Sequence, residues 1–252
     1  EGRDTVVENL TIRHCRSSWS SGTSATQVDD LRHAGFLQNM GTGTSNAYGG
    51  VVLMRNSGPT LRNVVLAASR ALQGGAITMM VFNGMRPLLS NVSVVGTIAR
   101  YEGGALFRGV TCFDWIGGTI SGCHSWNGGS AMRLHQGCGS ESKGVILENL
   151  IIEDNTNHAA EHGGGSLWIR GTSSSITVRG VIFRNNVDDN VNPSRRARDI
   201  FITETSRYPG SVNLINNLHL ASSSPSLSPP VVQTIDSCDK VQHGYRGVIP
   251  GE

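Results

Sequence analysis

A pair or triplet of glycines followed by a short apolar run recurs along the chain: GGVVLM (49 to 54), GGAITM (74 to 79), GGALFR (103 to 108), GGSAMR (128 to 133) and GGGSLWIR (163 to 170), at steps of 25, 29, 25 and about 35 residues. Self-similarity at roughly 20 to 50 residues marks an array of stacked units and constrains architecture before any single motif does. Midway through each unit lies a second run: NLTI (9 to 12), NVVL (63 to 66), NVSV (91 to 94), GTIS (118 to 121), NLII (149 to 152), GVIF (180 to 183) and NLHL (217 to 220). Two phase-locked strands per unit predict a solenoid. One coil cannot bury its inward side chains, whereas stacked coils share an apolar column and pair each strand with those above and below. Glycine at a corner supplies positive φ or close backbone approach, and asparagine there tolerates the left-handed region or bonds along a ladder.

Composition argues against a helical alternative. Gly contributes 32 of 252 residues and aromatics 6%, and with Asn, Ser and Val also frequent, ordinary helices would carry a propensity penalty nearly everywhere. The expected fold is all-β, a right-handed parallel β-helix of roughly six to eight coils. It is expected over residues 1–220, with an irregular long-cornered coil at 13–48 and a polar excursion at 186–199. Residues 221–252, opening with ASSSPSLSPP, read as a Ser/Pro-rich extended tail or linker.

The repeats carry a resemblance. GGAI (74 to 77) and GGAL (103 to 106), with FLQN (36 to 39) and FRNN (183 to 186), resemble the GGA(I/L/V) and FxxN repeats of polymorphic outer-membrane-protein adhesins. More broadly they are similar to the pectate-lyase-like β-helix superfamily. The resemblance runs over about residues 5 to 220 and implies the fold and an adhesive, surface-exposed role.

A net charge of +2 is too small to attract nucleic acid or an anionic membrane. No apolar run approaches the ~18 residues of a spanning helix, so no transmembrane segment is expected. The chain opens at Glu1 and enters the strand-like TVVENLTI almost at once, so it is expected to be an excerpt of something larger. Asn9-Leu10-Thr11 and Asn91-Val92-Ser93 are acceptor sequons for N-glycosylation, and the five cysteines form no CxxC pair, which together favour an extracellular or cell-surface location. Aligning the glycine corners puts Cys112 and Cys138 in neighbouring coils, one position out of register. A coil spacing of ~4.8 Å suits the ~4.4 to 6.8 Å Cα window of a disulfide, with two buried thiols as the alternative. Cys238 has Cys15 or Cys123 as candidate partners.

The same alignment sorts the two faces of the glycine-led sheet, with a one-residue slip exchanging them. The preferred phase turns Phe107, Met132 and Leu167 inward. It turns Val52, Ile77, Leu106, Ala131 and Ser166 outward, together with Met54, Met79, Arg108, Arg133 and Trp168, with His135 and Arg170 adjacent. Arg108, Arg133, His135, Trp168 and Arg170 form the candidate glycan face, because indole stacks on sugar rings and guanidinium forks onto carboxylates or sulfates. Outward apolar residues at its N-terminal end imply cover by a loop, domain or partner.

Catalytic signatures are sparse. His158-Ala-Ala-Glu161-His162 spells H-x-x-E-H, but it runs into Gly163-Gly164-Gly165 rather than lying on a helix, so no metal site is expected there. A polysaccharide lyase needs a base beside a uronate carboxylate and cations, including Ca²⁺, to neutralise it; Arg108, Arg133, His135 and Arg170 are the candidates. Asp154, Asp188, Asp189 and Asp199 are spread over turns, and Glu102 and Glu161 are expected to be solvated corner residues. A glycosidase would need carboxylates clustered on neighbouring coils. The leading expectation is therefore an extracellular structural or adhesive segment of a larger assembly, partnered by other subunits or domains or by polysaccharide, without a cofactor. The alternative is a polysaccharide-active enzyme, a lyase before a hydrolase, working on the glycine-led sheet with Ca²⁺.

Overall fold

The computed structural model describes residues 5–15, 49–55, 57–80, 85–109, 112–135, 144–158, 164–171, 174–189, 197–203, 211–220 and 232–235. Over these residues the chain is all-β. Its strands recur in rounds. The first holds β1 (Val6–Arg13) and β2 (Val52–Arg55), the second β3 (Thr60–Ala67), β4 (Arg70–Gln73) and β5 (Ile77–Met80). The third holds β6 (Leu88–Ser90), β7 (Ser93–Val95), β8 (Ile98–Glu102) and β9 (Leu106–Arg108), the fourth β10 (Asp114–Ile116), β11 (Thr119–Ser121), β12 (His124–Ser125) and β13 (Met132–His135). The fifth holds β14 (Val145–Glu148), β15 (Ile151–Glu153), β16 (Thr156–Asn157) and β17 (Leu167–Arg170), the sixth β18 (Ile176–Arg179), β19 (Ile182–Arg184), β20 (Val187–Asp188) and β21 (Ile200–Thr203). The last described round holds β22 (Val212–Ile215), β23 (Leu218–Leu220) and β24 (Val232–Ile235).

Every pairing is parallel and joins a strand to its counterpart one round away. Three sheets result, of twelve, five and seven strands. The seven-stranded sheet is β2-β5-β9-β13-β17-β21-β24, so the sheet runs on into the stretch expected to be a tail. This repeating all-parallel topology is compatible with a parallel β-helix.

Corners follow from backbone chemistry. Within the twelve-stranded sheet the chain bends at Asn9, Asn63, Asn91, Gly117, Asn149, Gly180 and Asn216, all at positive φ, which only Gly and, more reluctantly, Asn adopt at small cost. These asparagines also bond along the stack, Asn91 Nδ2 donating to Asn63 Oδ1 at 3.0 Å and Asn63 Nδ2 to Asn9 Oδ1 at 3.2 Å. The sequon residues Asn9 and Asn91 thus sit exposed on this corner. Ahead of the seven-stranded sheet Gly103 has φ 69, and a Cβ on its neighbour Gly104 would collide with the Ser130 carbonyl of the next round.

The core lies inside the rounds. Val52, Ile77, Leu106, Met132, Leu167 and Ile200 share one register position of the seven-stranded sheet, and all are buried in the core. This corrects the expected phase. Leu106 pairs with Met132, so counting back three residues sets Gly103 opposite Gly129 and not opposite Gly128, the first glycine of GGSAMR. Counting from Gly128 slips the alignment by one residue and exchanges faces between Leu106 and Met132. Val52, Met54, Ile77, Met79 and Leu106 therefore point inward and need no external cover, whereas Phe107 faces out.

The interior changes character along the stack. Beside the five-stranded sheet, buried Ser69 and Ala71 give way to Thr97 and Ala99, then Cys123 and Ser125, then Asn155 and Asn157, then Asn186 and Asp188. These side chains bond one another: Asn155 Nδ2 donates to Asn186 Oδ1 at 3.1 Å, Asn157 Nδ2 to Asp188 Oδ1 at 2.9 Å. Buried amides are tolerable only when so paired.

Candidate functional site

The outer side of the seven-stranded sheet is not a solvated surface. Phe107 (6% exposed), Arg133 (4%), Trp168 (3%) and Phe201 (1%) occupy one column that faces away from the core, yet all are buried. Phe201 and Trp168 pack with Ala197 as a second apolar cluster. The Arg133 guanidinium lies between two rings, 5.3 Å from the Phe107 centroid and 4.7 Å from that of Trp168. It also forms an ion pair with Glu102. Glu102 is buried, correcting the expectation of a solvated corner residue, and it accepts from Gln73 Nε2 at 3.2 Å and Asn127 Nδ2 at 3.5 Å. Trp168 Nε1 donates to Thr203 Oγ1 at 3.1 Å. Fixing rings, charge and amide donors together makes this column a rigid interior-like layer.

His135 and Arg170 pair in the adjacent column and are half-buried. Burial, reinforced by the Arg133, Arg170 and Arg108 charges, pulls the His135 imidazole down to about 3, so it is neutral at physiological pH. Arg108 is not on this face. It stands between Met79 and Leu134 in an inward column and is 0% exposed, a correction that follows from the register slip. Burial lowers its guanidinium to about 9, which still leaves it charged at neutral pH. Of the five residues expected on a glycan face, the structure brings Arg133, His135, Trp168 and Arg170 together and removes Arg108.

Cys112 is buried and disulfide-bonded; its expected partner Cys138 lies outside the described residues. Cys15 and Cys123 are free thiols, and Cys238, for which they were the candidate partners, lies outside the described residues. Burial pushes the Cys123 thiol up to about 11, which leaves it unreactive.

A second cluster stands on the outer side of the five-stranded sheet. Ser125 and Asn157 point inward, so the flanking His124, Trp126, Thr156 and His158 project outward, each half-exposed. The His124 and His158 rings stack with centroids 5.7 Å apart and planes within 4°, and Trp126 lies 5.3 Å from His158. His158 Nδ1 is 3.6 Å from Asp189 Oδ2 on the next round. Burial, then the nearby His158, lower the His124 imidazole. His158 was visible in the sequence only as the start of H-x-x-E-H, and Glu161 and His162 lie outside the described residues. The signal that could have found the cluster is the pattern H-S-W and T-N-H at one coil position.

A third group closes the polar interior. Buried Asp199 accepts from Arg198 Nη2 at 3.0 Å and Asn186 Nδ2 at 3.2 Å and lies 2.9 Å from His219 Nδ1, whose ring stacks on Phe183 at 5.0 Å. Asp188 is taken up by Asn157 and by the Gly165 and Ala197 amides. Among the described residues no three His, Cys, Asp or Glu side chains converge as metal ligands, and no helix is long and apolar enough to cross a membrane. Compared with family models, with curated proteins and with solved structures, the chain matches nothing.

Proposed function

We propose that this chain is a right-handed parallel β-helix serving as a structural and adhesive segment of an extracellular assembly. The observation that carries the reading is the state of the cations on the seven-stranded sheet. Arg133 is held by Glu102 and by two aromatic rings, and Arg108 is inside the core. A base that must meet a uronate cannot be locked into a salt bridge under its own sheet's side chains. The terminal described rounds support an assembly: Leu10 on β1 is 37% exposed and Leu214 on β22 40%, although both occupy inward positions that are buried one round further in. Apolar ends of this kind are covered in solenoids by further protein.

The test is an ultraviolet assay for unsaturated uronate release on a panel of acidic polysaccharides, with and without Ca²⁺. No product is expected on any of them. Product that disappears in Arg170→Ala would replace this reading by the lyase, with Arg170 and His135 as its residues.

A further inference from the structure

We propose that the outer face of the five-stranded sheet, at Trp126, His158 and Asp189, binds a neutral glycan chain lying along the stack. The inference rests on the adhesive reading and supplies its ligand class. Register makes Trp126, His158 and Asp189 successive rungs of one column, because Ser125, Asn157 and Asp188 just before them are paired. Thr156 and His124 flank that column on neighbouring rungs. Parallel rungs are ~4.8 Å apart, close to the length of one pyranose unit, so consecutive sugars of an extended chain meet consecutive side chains.

The chemistry of the column suits hydroxyls and C–H faces. Indole and imidazole present apolar surface with polar edges, the combination that packs on sugar rings while bonding their hydroxyls. Asp189 is 58% exposed and His158 36%, so both offer polar atoms to solvent. Asp189 disfavours uronates and sulfates at its end of the column, and register sets Arg70 two rounds from His124 and Arg100 on the rung before Trp126. A metal ion fits poorly. Two imidazoles stacked within 4° at 5.7 Å direct their lone pairs side by side, whereas a metal requires ligand nitrogens converging at about 2.0–2.1 Å. On the twelve-stranded sheet outward positions carry cross-rung pairs such as Arg179–Glu148 and Arg62–Glu8, which satisfy themselves; here three half-exposed rings stand in their place.

The test uses the full chain on an array of neutral oligosaccharides, including β-1,4-linked glucose, mannose and N-acetylglucosamine series, beside uronate and sulfated chains, with hits titrated by tryptophan fluorescence and protein-observed NMR. Expected is binding of a neutral oligomer of about three sugars, weakened at least tenfold in Trp126→Ala and in His158→Ala and unchanged in Arg179→Ala. Circular dichroism checks the fold; if Trp126→Ala is unfolded, Trp126→Phe and Asp189→Asn replace it, each expected to weaken binding severalfold. Absence of any neutral ligand, preference for anionic chains, or affinity retained within twofold in the folded variants overturns the site. Those failures leave the scaffold standing, which only turnover in the uronate assay removes.

Discussion

The outer faces of the twelve-stranded and seven-stranded sheets have the same backbone and opposite surroundings. On the twelve-stranded sheet the outward positions carry Arg62–Glu8 and Arg179–Glu148 pairs, with the arginines about half exposed, Glu8 likewise and Glu148 less so. On the seven-stranded sheet the outward column carries Phe107, Arg133, Trp168 and Phe201, all buried. Both use arginine beside glutamate, but in the first the pair is screened by water and in the second it is desolvated together with two aromatic rings. Arginine on a parallel sheet thus says little about function until its burial is known. The comparison moves the search for ligands from the seven-stranded sheet to the narrow five-stranded one.

The difference is breakable by mutation. Arg133→Ala strands the Glu102 carboxylate in a buried site and is expected to cost about 3–5 kcal/mol by chemical denaturation, with the double variant Arg133→Met/Glu102→Gln recovering most of that loss. Phe201→Ala should cost about 3–5 kcal/mol, as in a core; a value near zero would mean its outer face is solvated after all. An intermediate effect concerns pH. His135 has a folded-state value of about 3 against about 6.5 unfolded, so the unfolded chain binds the proton first. Stability is therefore full above about pH 6.5 and falls as pH drops toward 3; His124, also lowered, acts in the same direction. His135→Gln should flatten that acid limb in melting temperature against pH. Smallest is Arg179→Ala on the twelve-stranded face, expected within about 0.5 kcal/mol and vanishing in high salt.

Much of the frame was legible in the chain. The glycine-led runs are strands β2, β5, β9, β13 and β17, and the second runs fall in β1, β3, β7, β11, β15, β19 and β23. Two- and three-residue strands such as His124–Ser125 and Thr156–Asn157 were missed because they have no measurable alternation. Face assignment failed on one residue. GGSA offers two glycines that can be matched to Gly103, and only the strand register, Leu106 opposite Met132, decides between them. The His–Trp cluster was illegible for a related reason: its members are 32 to 34 residues apart in pairs, His124 to His158 being 34, and come together only through strand register. Burial of the seven-stranded sheet's outer face has no sequence signature, since Phe, Trp and Arg serve equally on an exposed face.

The graded interior bears on how such a chain can grow or shrink. Where Ala71 lies under Ala99, one round resembles the next, and copying or deleting it leaves each neighbour a similar partner. Where Asn155 bonds Asn186 and Asn157 bonds Asp188, each round is written for the one above it. Inserting a copy there would set amide against amide in the wrong order and leave a buried carboxylate without its donors. The same ladder is thus open to duplication at one end and closed to it at the other, so length variation should accumulate in the early rounds while the late ones hold their number.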